Sequence, residues 1–124
     1  MLTLVAALLS LGLQAAPAVS LPATPQGRQL DAFVTTFRTS ETAFVAFQAE
    51  NMLPKRTPEQ HKTMYARMRK DFGDFTILRV LSASADQISV AVKHPAGMNA
   101  VFSFAFEQAA PYRITDMNVE VNQQ

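Results

Sequence analysis

"TPEQHKTMYARMRKDFGDFTILRVLSAS", residues 57–84, changes its period at Gly73. Before the glycine, His61, Met64, Tyr65, Met68 and Phe72 recur at helical spacing and form one inward stripe. Thr57 is an N-cap residue, Pro58 suits the first helical position, and Gln60 completes a Thr-x-x-Gln capping box. Gly73 can take the left-handed conformation that ends a helix. After it the period drops to two. "DFTILRVLSAS" is apolar on both faces, which predicts a strand covered on both sides for part of its length.

The same change of period divides the rest of the chain. Upstream, Leu30, Phe33, Val34 and Phe37 fall at i, i+3, i+4 and i+7, one apolar helix face. "RTSET" interrupts it, and Ser40 can cap a second helix carrying Phe44, Val45, Phe47 and Met52 and stopped by Pro54. Downstream, "QISVAVKH" alternates cleanly, "PAGMN" is a turn, and "AVFSFAFEQ" alternates again. "YRITDMNVEV" alternates but slips phase: Tyr112 and Ile114 keep one parity, Met117, Val119 and Val121 the other. One extra residue near Thr115 and Asp116 restores a single face, so a β-bulge is expected there. Three helices followed by four strands with short connections give an α+β domain with an antiparallel meander, one sheet face packed on the third helix. Phe102, Phe104 and Phe106 share the inward parity and are expected to meet Met64, Met68 and Phe72.

The composition supports one folded domain. The chain has 124 residues, 48% hydrophobic and 17% charged, with a net charge of +1 and neither cysteine nor tryptophan. That balance gives no general attraction to nucleic acid or to an anionic membrane. Six basic residues, Lys55, Arg56, Lys62, Arg67, Arg69 and Lys70, cluster in the third helical region. They read as a solvated face; the alternative is a patch for an acidic partner, and without interleaved aromatics it does not suit nucleic acid.

The N-terminus is a separate object. "LTLVAALLSLGL" is uncharged, the first charged residue is Arg28, and the run is shorter than the roughly 20 residues a spanning helix needs. Ala16-Pro17-Ala18 fits small-residue cleavage, although "MLTL" lacks the usual basic start. The expectation is a signal peptide at 1–18, a linker at 19–27, one domain at 28–124, and a periplasmic or secreted product with no membrane attachment after cleavage.

The stretches "AFVTTF", "AENMLP", "RTPEQHKTMYARMRKDFGDFTILRVLSAS", "ISVAVKH" and "PYRITDMNVE" together resemble the nuclear-transport-factor-2-like superfamily, also called cystatin-like or SnoaL-like. The likeness is closest to its small exported bacterial domains, which occur beside serine hydrolases and secreted peptidases. It implies a curved sheet around the long helix and a conical cavity. In different members that cavity is an isomerase, cyclase or hydrolase site or a passive pocket. It also implies dimerisation through the exposed sheet face as one option. Such a fold does not fix a function.

Two function classes follow. One is an exported non-catalytic module that binds a small apolar ligand or docks on a secreted hydrolase; the other is a small enzyme using the same cavity. No Gly-x-Ser-x-Gly and no phosphate-binding glycine loop is present. His61 and His94, the two histidines, do not make a metal site, and no cofactor is expected. An acid–base set would draw on Asp116, Tyr65 and His94. A ligand would be walled by Phe102, Phe104, Met64 and Met68, with Tyr65 and His94 at its polar end, because pockets combine apolar walls with a few fixed polar groups.

Overall fold

A computed structural model describes residues 19–122. The expected signal peptide at 1–18 lies outside the described residues. Three helices come first, α1 (Pro25–Thr39), α2 (Glu41–Asn51) and α3 (Pro58–Phe72). They are followed by β1 (Thr76–Ala83), β2 (Gln87–Lys93), β3 (Asn99–Phe106) and β4 (Ile114–Asn122). The strands form one antiparallel sheet in sequence order, so the architecture is α+β with a meander.

Local chemistry sets the helix ends. The Oγ1 of Thr24 accepts from the Gly27 N–H at 3.0 Å, and Pro25 follows in the first turn, so α1 starts three residues before Arg28. The segment expected as linker is therefore partly helical. It is also packed: a Cβ on Gly27 would lie 1.8 Å from the Pro22 carbonyl oxygen, so only glycine admits this approach. Gln26 is buried and donates to the Ala85 carbonyl at 2.6 Å, tying α1 to the turn between β1 and β2. Ser40 ends α1 and caps α2, its hydroxyl accepting from the Ala43 N–H. At α3 both bonds of the Thr57–Gln60 capping box form, at 2.9 and 3.1 Å, and Gly73 ends the helix with φ of +52°.

The expected bulge in β4 is present. Ala105 pairs with Asp116 and Phe106 with Ile114, leaving Thr115 as the surplus residue. Ile114 before it and Met117 and Val119 after it therefore share the inner face, opposite Phe106, Phe104 and Phe102. β1 holds two more irregularities. Ile77, Arg79, Val80 and Ser82 pair with Val92, Ala91, Val90 and Ser89, so Leu78 and Leu81 are surplus. Ile77 and Val80 turn inward at a spacing of three, while Leu78 and Leu81 stay 41% and 44% exposed. This corrects the expectation of a strand covered on both sides: its second apolar set belongs to bulges and faces outward.

All nine phenylalanines are buried. Leu30, Phe33 and Phe37 on α1 are wholly enclosed. Phe33 meets Phe104 edge-on at 5.1 Å, and Phe102 meets Phe72 and Phe75, both at 5.0 Å. The phenylalanine row of β3 thus reaches α1 as well as the end of α3. Of the expected neighbours, Phe72 pairs with Phe102 ring to ring, Met68 belongs to the same buried cluster, and Met64 packs against it. Edge-to-face pairs of this kind add to burial, because the positive ring edge meets the negative face.

Candidate functional site

A cavity of about 290 Å3 opens beside this aromatic core, between α2, α3, the segment joining them, and β4. Four thioethers wall it: Met52, Met64, Met68 and Met117. The α3 spacing puts His61, Met64 and Met68 on one face, at i, i+3 and i+7. The β4 bulge supplies the opposite wall, since without the surplus Thr115 the polar side chains of Asp116 and Asn118 would take the inner face in place of Met117. Met52 is held by a bridge to Ile114, next to a 2.8 Å bond from the Leu53 N–H to the Ile114 carbonyl.

Two polar side chains are sealed into this apolar wall. Gln48, on α2 one turn beyond Phe44, is wholly buried. Its amide nitrogen donates to the Met64 sulfur at 2.9 Å, and its Oε1 has no partner among the described residues. The reverse orientation would set the carbonyl oxygen against sulfur, two acceptors together, so the oxygen is the free atom. His61 is 2% exposed, and neither ring nitrogen has a partner among the described residues. Burial pushes its pKa below 6.5, and the Arg56 charge adds to that, so the ring is neutral with one donor and one acceptor nitrogen. An unpaired polar group in such a place costs about 1–3 kcal/mol. All three atoms belong to residues that line the cavity.

Ionisable groups lie on the exposed parts of the wall. Arg56 is on the α2–α3 segment and Asp116 at the bulge. Asp116 accepts from the Met117 N–H at 3.0 Å. Arg69 is engaged elsewhere, with Asp74 at 2.6 Å and over the Phe37 ring at 5.3 Å.

Met64 and Met68 of the expected ligand set line the cavity; Phe102, Phe104, Tyr65 and His94 do not. Phe102 and Phe104 are 1% exposed in the ring-packed core. Tyr65 packs edge-on against Phe37 and at a tilt against Phe44, 5.6 and 5.8 Å away. His94 sits at the β2–β3 turn, where its Nδ1 accepts from the Ala96 N–H at 2.8 Å. The acid–base set of Asp116, Tyr65 and His94 is therefore not assembled: Asp116 alone reaches the cavity. Neither spacing nor composition singles out Gln48 in the sequence, and His61 reads there as an inward helix position that makes no metal site with His94.

Among the described residues no group of three or more His, Cys, Asp or Glu could hold a metal ion, and no helix is long and apolar enough to cross a membrane. No protein-family model, curated protein or solved structure matches the chain.

Proposed function

We propose that the chain is a non-catalytic binding module whose cavity takes a small, largely apolar ligand. The observation that carries this reading is the pairing of methionine walls with buried, unpartnered Gln48 Oε1 and His61 nitrogens. Thioether side chains are flexible and polarisable, so they fit varied apolar shapes. Pockets of this kind use a few fixed polar groups for orientation. The separation of Asp116, Tyr65 and His94 favours binding over acid–base catalysis. In the same reading residues 1–18 are removed on export and the fold is nuclear-transport-factor-2-like, which rests on the sequence patterns alone.

The test is native mass spectrometry of the full chain expressed with its leader, together with displacement of a hydrophobic dye. A bound small molecule, or dye binding that weakens in Met68→Ala and Met117→Ala, supports the module. No bound species and no dye uptake by the folded protein rejects it. N-terminal sequencing of exported protein checks cleavage after Ala18; a product still starting at Met1 rejects export processing.

A further inference from the structure

We infer that the ligand of this cavity is an uncharged molecule whose buried end carries a hydroxyl or amide, its O–H or N–H donated to Gln48 Oε1 and its oxygen accepting from the His61 N–H. The inference rests on the binding reading above and specifies the ligand's class.

The atoms left without partners define what is missing. Gln48 Oε1 accepts only. A neutral His61 offers one accepting and one donating nitrogen. The unmet set is thus two acceptors and one donor, all buried. A hydroxyl or a secondary amide supplies one donor for Gln48 Oε1 and one acceptor for the His61 N–H, and a primary amide has a second N–H for the remaining His61 nitrogen. A carboxylate supplies acceptors alone: it would face Gln48 Oε1 and the bare His61 nitrogen with lone pairs opposed to lone pairs. An ammonium would shed its hydration among thioethers with no buried carboxylate to meet it, since Asp116 lies on the exposed side. Arg56, the other ionisable group on the wall, is exposed as well and can hold a charge in water without drawing the ligand's buried end.

The methionines supply the apolar contact, and the polar pair sets which end goes in first.

Four probes on one body separate the possibilities: naphthalene, 2-naphthol, 2-naphthoate and 2-naphthylmethylamine, each titrated into the folded protein and read by fluorescence or calorimetry. The expected result is that naphthol binds at least about tenfold more tightly than the other three, the worth of one well-made buried hydrogen bond. Gln48→Met and His61→Leu keep the apolar body of the site and are expected to remove that preference while naphthalene binding persists. Equal affinity for naphthalene and naphthol overturns the head-group inference and leaves the cavity reading standing. Tightest binding of naphthoate or of the amine overturns it too, as does a naphthol preference that survives in both variants. Failure of all four probes to bind removes the inference and the binding reading together.

Discussion

The interior has two halves built on different rules. In one, Phe33, Phe37, Phe44, Phe75, Phe102 and Phe104 touch ring to ring, none more than 1% exposed. In the other, Met52, Met64, Met68 and Met117 surround open space, with Gln48 Oε1 and both His61 nitrogens unpaired among the described residues. The halves are neighbours, and α2 contributes to both: Phe44 to the rings, Gln48 to the cavity. Rigid, branched or aromatic side chains fill space to crystal-like density, whereas thioethers do not specify one packing. The aromatic half makes the fold. The methionine half leaves open space and three buried polar atoms without partners among the described residues.

The comparison breaks most readily on the aromatic side. Phe104→Ala should lower stability by about 3–5 kcal/mol, because it empties a site already ringed by Phe33, Phe102 and Phe106. Denaturant midpoints measure it, and a loss under about 1 kcal/mol would mean the aromatic half is as pliable as the methionine half. On the cavity side the sign should reverse. Gln48→Met removes a buried oxygen without a partner at nearly constant volume, and the expected change is a gain of about 1 kcal/mol with a higher Tm. A Gln48→Met variant that melts lower than the parent would show that the lost amide bond to the Met64 sulfur outweighs removal of the unpartnered oxygen.

His61 sharpens the contrast through pH. The folded protein holds its imidazole neutral, with a pKa below the ordinary 6.5, while the unfolded chain takes up a proton there. Stability from this group is full above pH 6.5 and is lost as pH falls through the depressed folded-state value. Arg56 contributes to the shift, and Asp116 is the other ionisable group lining the cavity. Glu107 and Asp74, each lowered chiefly by its hydrogen-bonded arginine, act in a more acidic window, below 4.5 and 3.8. Stability curves between about pH 6.5 and pH 5 should therefore slope in the parent and flatten in His61→Leu; an unchanged slope assigns it elsewhere. The smallest effect belongs outside both halves. Ser103→Ala removes one exposed-face bond to the Ser89 hydroxyl at 2.9 Å and should cost only a few tenths of a kcal/mol. A cost like that of Phe104→Ala would reverse the inner and outer faces of β3.

The elements were legible because each carries its own local chemistry. Thr57, Gln60 and Gly73 mark α3, and the parity slip from Ile114 to Met117 marks the bulge at Thr115. The start of α1 was missed because Thr24 and Pro25 lie in a stretch whose proline, alanine and threonine content reads as linker, although Thr-Pro is also a helix start. In β1 the signal was present in another period. "TILRVLSA" repeats at three, not two, which is what two surplus residues produce. The cavity was only half readable. Met64 and Met68 follow from helical spacing. That Gln48 and His61 end without partners depends on what α2, α3 and β4 bring to them, and no local pattern encodes a missing partner.

The two surplus residues of β1 also govern what the sheet can do with other chains. Among the described residues β1 is an outer strand, bonded only to β2. A straight outer strand offers an evenly spaced row of amides and carbonyls on which a foreign strand can grow. With Leu78 and Leu81 inserted, the spacing is broken twice within eight residues and the strand is bent and more strongly twisted. An incoming strand could match only a short part of it before losing register. Natural sheets often guard such margins with charge, yet β1 carries a single charged residue, Arg79. Its protection against runaway strand addition is therefore geometric and should persist at ionic strengths that would silence a guard of lysines.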